Sequence, residues 1–345
     1  MQSASNYIAR KVLFLAPVTA KSAIMKEAVL GIDIGGTYTK YGIIDRQGNS
    51  LADSFINTDI HNEFDDYLKS LCESVNVTMK EIPGAITLKG VGIGAPNANY
   101  YRGTIEYPPN LSWKGIIPVA EKMKAYFPGI PIVLTNDANA AAIGEMIYGG
   151  AKGMKDFIVI TLGTGLGSGI IVNGQLVYGH DGFAGELGHV NVKLRGRDCG
   201  CGRKGCLETY VSATGIKRTV FRFLAERTDE SELRFVTFND LTAKMIDDAA
   251  RKGDPIALEA FEYTGRILGA KLADTVAHTS PEAIFLLGGL ANAKELILDP
   301  TIRSMEENLL PIFRNKVKIL LSSLSDVNAG VMGASALAWK ELEKE

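Results

Sequence analysis

Residues 186–208 read ELGHVNVKLRGRDCGCGRKGCLE and hold Cys199, Cys201 and Cys206, three of the chain's four cysteines. Thiolates at this spacing, with glycines between them, bend well around a Zn²⁺ ion. They lie too close together for a disulfide to staple much chain. Three thiolates leave a tetrahedral ion one ligand short. His189 is the nearest upstream imidazole, ten residues before Cys199. His180 is an alternative fourth ligand, and a redox-active dithiol is a third reading, although Cys-x-Cys lacks the usual redox spacing. A closed His/Cys₃ set would be structural and leave the chemistry to other residues.

Two further stretches carry chemistry. VLGIDIGGTYTKYGIIDRQGN (29–49) and DFIVITLGTGLGSGIIVNGQLV (156–177) each run apolar strand, Gly/Thr turn, apolar strand, polar turn. Gly35 aligns with Gly163, and Gly36-Thr37 with Thr164-Gly165. Glycine lets a backbone approach an anion and aim N–H groups at it. Two such turns could grip phosphates from both sides of a cleft. Neither fits the GxxxxGK[ST] pattern. Asp33 sits in the apolar strand beside the first turn, where a carboxylate is costly without a partner. Hydrated Mg²⁺ would suit it; a hydrogen bond to its own hairpin turn is the competing reading. Asn136, Asp137 and Asn139 stand where a strand hands over to an Ala-rich helix. Helix capping accounts for one of them. It does not account for three polar groups at a strand's C-terminal end, where α/β folds place ligands. A carboxylate there could take a proton from an attacking hydroxyl.

The elements that must position these residues follow from periodicity. At 345 residues, 46% hydrophobic and 22% charged, the chain is long enough for two ordinary domains. Strands are expected at 28–34 and 41–49, joined by 35–40, then at 88–97. Phe64, Leu68, Leu71 and Val75 set a helix over 62–79. A Pro-rich loop at 103–115 precedes a helix around 116–126, and a strand and helix follow over 130–149. Helices dominate 212–280, a strand at 282–292 ends in Gly288-Gly289, and a helix closes the chain at 328–345. Strands alternating with helices predict an α/β fold, and the repeated hairpin predicts two domains of similar plan. The net charge of −2 gives no footprint for nucleic acid or an anionic membrane. No apolar run approaches the ~20 residues of a membrane span. Few, clustered cysteines point to a reducing, cytoplasmic setting. Residues 1–24 contain the short apolar run VLFLAPVTA, weakly like a signal peptide; they are read as a dispensable extension, with Met25 an alternative start.

Seven segments carry a more specific resemblance: GIDIGGTYTKYGIID (31–45), PPNL (108–111), NDANAAAIGE (136–145), TLGTGLGSGIIVNG (161–174), GFAGELGHV (182–190), CGCGRKGCLE (199–208) and LLGGLAN (286–292). In this order they resemble the ROK family of sugar kinases and repressors, within the actin-like ATPase superfamily, over nearly all of 26–345. The resemblance implies a two-domain actin-like, ribonuclease H-like α/β fold with an inter-domain cleft and a structural zinc loop. The small domain would be 26–136 plus 328–345. The large one would be 137–327, with the zinc loop at 189–206 and an extension at 1–25. It implies a hexose and ATP as substrates, catalytic Mg²⁺, structural Zn²⁺ and a homodimer. Asp137 matches the family's general base. Asn110, Asn136, Asp137, Glu186, His189 and Glu208 match its sugar ligands, and carboxylates and amides suit neighbouring hydroxyls. Gly35, Gly36, Thr37 and Lys40, with Gly163, Thr164 and Gly165, match the phosphate-binding segments. Gly288 and Gly289 match the adenosine loop, and Asp33 the carboxylate near Mg²⁺. His189, Cys199, Cys201 and Cys206 match the zinc ligands.

The expected activity is phosphorylation of a hexose 6-hydroxyl, glucose first. The alternatives are an N-acetylmannosamine or N-acetylglucosamine kinase, and a non-catalytic sugar-sensing regulator. The family's repressors carry an N-terminal winged helix-turn-helix of roughly 60–70 residues; about 25 precede the first strand here. Two departures stand out. Asn97 occupies a position where the family favours small Gly or Pro, in a loop bordering the sugar pocket. Ser168 replaces a common glycine.

Overall fold

The computed structural model describes residues 26–324 and 329–344; the extension expected at 1–25 lies outside them. Strand β1 (Lys26–Ile34) is apolar almost throughout because it is the middle strand of a sheet and buried on both faces. It turns back as β2 (Tyr38–Asp45), antiparallel, with Asp33 opposite Lys40. The connection is therefore 35–37, shorter than expected, because Thr39 and Lys40 already pair with β1 and the Tyr38 carbonyl accepts from Gly35 N–H. Strand β3 (Ser50–Asn57) adds an edge. Helix α1 (Phe64–Glu81) buries Phe64, Leu68, Leu71 and Val75, the residues whose spacing announced it. Strand β4 (Ile86–Gly94) then runs parallel to β1.

A small three-stranded sheet follows, from β5 (Ala98–Asn99), β6 (Thr104–Glu106) and β7 (Ile116–Ile117). The helix expected over 116–126 shrinks to α2 (Val119–Met123). Ile116 and Ile117 pair with β6, and Pro118 sets the helix start, since it has no N–H to donate to an earlier turn. Strand β8 (Ile132–Thr135) completes the first sheet beside β4 and leads into α3 (Asp137–Ile147).

The second half repeats the scheme. Strands β9 (Phe157–Leu162), β10 (Leu166–Val172) and β11 (Gln175–Leu176) form an antiparallel meander. The cysteine segment, α4 (Ala213–Glu226), α5 (Ala243–Arg251) and α6 (Pro255–Thr279) come next. Strand β12 (Ala283–Leu287), α7 (Glu295–Asn308) and β13 (Lys318–Leu321) finish the sheet, both strands parallel. The strand orders are β3-β2-β1-β4-β8 and β11-β10-β9-β12-β13, the same plan twice.

Helix α8 (Ala329–Leu342) returns to lie across β1 and β4 and against α3. Only small residues allow so close an approach. A Cβ on Gly92 would overlap the Ala334 carbonyl, and one on Gly31 would overlap Ser335. Trp339 pins the helix by donating its indole N–H to the Asp45 carbonyl at 3.2 Å. One core lies between the first sheet and α1; a second lies under α4, α5, α6 and α7. A third, including Val133, Ala141, Phe157, Phe285 and Leu337, joins the two sheets through α3 and α8. Among the described residues no helix is long and apolar enough to cross a membrane.

Candidate active site

A cleft of about 600 Å³ is lined from both halves. Gly35 and Gly36 of the first turn, Gly163, Thr164 and Gly165 of the second, and Gly288-Gly289 all line it. Asp33, Asn110, Asn136, Asp137, Glu186 and Glu208 line it too. Thr37 and Lys40 are not among the lining residues. The Thr37 carbonyl accepts from Thr58 N–H at 2.7 Å, and Lys40 lies opposite Asp33 in the hairpin. His189 is not among the lining residues either, but stands beside two carboxylates that are. Its Nε2 is 3.9 Å from Glu186 and its Nδ1 is 3.7 Å from Glu208.

The strand-to-helix handover divides its three polar residues by role. Asn136 is the N-cap of α3 and accepts from Ala138 N–H at 2.9 Å through Oδ1. Capping therefore accounts for Asn136. Asn139 turns inward and donates to Thr135 Oγ1 at 3.2 Å. Asp137, the first helical residue, accepts from Ala138 N–H at 2.8 Å and stays open to the cleft. Protein packed around it raises its pKa above the ordinary carboxylate value, opposed by backbone N–H donors.

Asp33 is held at a higher cost. Burial, then the nearby charge of Asp137, push its pKa from an ordinary 3.8 to about 6, while Lys40 works in the other direction. The Cα of Gly330, in the first turn of α8, lies against its carboxylate; any side chain there would collide with it. Such a group suits a divalent cation, which favours the ionised form. The sign of the stability effect follows. Below about pH 4 Asp33 is protonated in both folded and unfolded chains and contributes nothing. As pH rises the unfolded chain releases the proton first, so stability falls until about pH 6 and the penalty is then constant. Asp33→Asn is therefore expected to raise the melting temperature of the unliganded protein at pH 8 by roughly 3–6 °C. The gain should vanish near pH 4 in thermal melts; equal melting at both pH values would contradict it.

The cysteine segment is largely irregular, held by backbone bridges at Asn191–Cys206 and Asp198–Lys204. His189, Cys199, Cys201 and Cys206 bring their ligand atoms within 4.8 Å of one another. Cys201 and Cys206 sulfurs are 3.7 Å apart, and Cys199 Sγ is 3.8 Å from His189 Nδ1. Ligands about 2.3 Å from a tetrahedral ion are separated by about 3.8 Å, so the four atoms fit a Zn²⁺-sized centre. His180 is not part of the cluster. His189 is the imidazole of the cluster, its Nδ1 toward Cys199 and its Nε2 toward Glu186.

Two contributors escaped the sequence reading. Gly330 is one, described above. Arg197 is the other. Its guanidinium donates to the carbonyls of Thr209 and Gly215 at 2.8 and 2.9 Å and stacks over Tyr210, tying the segment to α4. Burial pushes its pKa down to about 10. Asn97 lines the cleft with φ +52° and donates to the Tyr107 carbonyl at 3.2 Å. It so fixes the start of the loop that carries Asn110.

A family model described as the ROK family matches residues 29–341. The glucokinase of Streptomyces coelicolor is 36% identical over 315 residues, 90% of this chain and 96% of the relative. The crystal structure of a ROK family glucokinase from Streptomyces griseus, in complex with glucose and AMPPNP, superposes with a TM-score of 0.77 at 34% identity, covering 91% of this chain and 99% of that one. A ROK family transcriptional regulator, homologous to the E. coli MLC protein, superposes with a TM-score of 0.80 at 26% identity, covering 90% and 77% respectively.

Proposed function

Because the chain belongs to the ROK family, we propose that it transfers the γ-phosphoryl group of ATP to the 6-hydroxyl of a hexose, glucose first, since the S. coelicolor relative is a glucokinase and the S. griseus one holds glucose. The observation that carries this reading is the placing of Asp137. It is a carboxylate at a helix start that lines the same cleft as the two glycine turns. Phosphoryl transfer asks little covalent work of a protein, so positioning and charge neutralisation dominate. The turns at 35–37 and 163–165 offer backbone N–H groups to the phosphates. Gly288-Gly289 lets the nucleoside approach the wall. Asn110, Glu186, Glu208 and the Nε2 of His189 orient the sugar hydroxyls. Asp137 accepts the proton as the hydroxyl oxygen attacks the γ-phosphorus and ADP leaves. Mg²⁺, held near Asp33, would neutralise charge on the phosphates.

Zn²⁺ is the ion we assign to His189, Cys199, Cys201 and Cys206. Bound there, it would be structural and apart from the reacting groups: it would fix the His189 ring and the segment that ends at Glu208. A sugar-sensing regulator shares the fold and would need the same sugar ligands. Asp137 is the residue that favours catalysis over sensing.

ADP release measured with Mg²⁺-ATP and glucose, mannose, fructose, N-acetylglucosamine or N-acetylmannosamine tests the reading. Glucose is expected to give the highest kcat/KM. A leading N-acetylhexosamine would overturn the sugar and keep the kinase. No sugar-dependent ADP release with any of them would overturn the kinase and leave the regulator.

A further inference from the structure

The two turns read as phosphate loops also touch the sugar side of the cleft, each through one glycine. A Cβ built on Gly36 would stand 2.7 Å from the Asn110 carbonyl oxygen. A Cβ built on Gly165 would stand 2.7 Å from Glu208 Oε2. The other glycines of the turns behave differently. Gly163 has open space where its Cβ would be, and Gly35 meets only Tyr38 of its own hairpin. Neither Gly36 nor Gly165 has a left-handed φ, so the backbone itself does not demand glycine at these positions. What demands it is the neighbour. In both halves of the molecule that neighbour belongs to a residue assigned to the sugar.

We propose that Gly36 and Gly165 are positioning residues for sugar binding: the bare Cα of Gly165 seats the Glu208 carboxylate, and that of Gly36 seats the Asn110 segment. The inference rests on the sugar-kinase reading and extends it. Each turn then has two surfaces, N–H groups toward phosphate and a Cα toward a sugar ligand. The two contacts differ in kind. Glu208 Oε2 is the end of a flexible side chain and can swing away, at the expense of its place in the cleft. The Asn110 carbonyl is backbone, so a methyl at Gly36 would push the whole loop.

The test is calorimetric titration of the full chain with its best hexose and no nucleotide, alongside thermal melts. Gly165→Ala is expected to weaken sugar binding at least about tenfold, the scale of one lost charge-assisted hydrogen bond, with the melting temperature little changed. Gly36→Ala should weaken it too. Gly163→Ala, in the same turn but facing open space, should leave sugar affinity as in the wild type. Glu208→Asp withdraws the carboxylate by one methylene, so Gly165→Ala/Glu208→Asp should bind sugar more tightly than Gly165→Ala alone. A purely structural or purely phosphate-binding role for Gly165 predicts no such rescue. Wild-type sugar affinity in Gly165→Ala, or an equal loss in Gly163→Ala, would overturn the proposal and leave the kinase reading intact. A wild-type chain that binds none of the hexoses would overturn both.

Discussion

Asp137→Asn is expected to lower turnover by about 10²–10⁴-fold, the usual contribution of a positioned general base, while glucose affinity changes by no more than a few-fold. The amide is nearly the same size as the carboxylate. Its oxygen can still accept from Ala138 N–H, the 2.8 Å bond that fixes the side chain at the head of α3. What it cannot do is take a proton. Loss of the charge also has a calculable side effect, because Asp137 raises the pKa of both Asp33 and Glu186. In the variant both carboxylates ionise more readily, but the lost charge also weakens the local attraction for a cation at Asp33, so turnover is compared at saturating Mg²⁺. Wild-type turnover should fall as pH drops, since Asp137 accepts a proton only when ionised, and the fall should begin above the ordinary carboxylate range. Turnover from ADP release and glucose affinity from calorimetry separate the two effects. A near-normal rate in Asp137→Asn would remove it as the base.

Much of this site could be read from the chain because its residues contradict their surroundings. Asp33 is a charge in an apolar strand, and Asn136-Asp137 interrupt a run of apolar residues and alanine. The glycine turns appear twice in the same frame, and the two sheets later show the same strand order. The edge strand β3 gave no such signal. Its sequence SLADSFIN is polar at half its positions and leaves Phe55 60% exposed, so its periodicity is weak. Strands β11 and β13, of two and four residues, are too short to show a period. Gly330 acquires its role only because α8 returns to β1, a proximity that local sequence does not encode. Arg197 stands among other basic residues around the cysteines, and nothing distinguishes it until its two carbonyl acceptors are seen. Asn139 shows the converse. Its type and place suggested a ligand, yet the helix turn it occupies points into the protein.

Removal of the zinc ion assigned to the cysteine cluster is expected to cost on the order of 100-fold in glucose affinity, the equivalent of one or two charge-assisted hydrogen bonds, with both sheets still folded. Residues 189–206 contain no helix longer than a single turn and no strand, only two isolated bridges. Ordering such a segment costs conformational entropy at every residue, and its side chains add little to the main cores. Arg197 fastens it to α4 at one point. The cluster of His189, Cys199, Cys201 and Cys206 fastens it at the other. Without the ion the His189 ring is free to turn, and it is this ring that stands between Glu186 and Glu208. Cys206 is fully buried and lies two residues before Glu208, so disorder there reaches a proposed sugar ligand directly. The cores hold no residue of the cluster, which is why the sheets should survive. Chelation followed by metal analysis, circular dichroism and glucose titration tests each step, and adding Zn²⁺ back should restore affinity. Cys206→Ser should behave like the chelated protein. A chain stripped of zinc that kept its glucose affinity would show that the cluster braces something other than the sugar site.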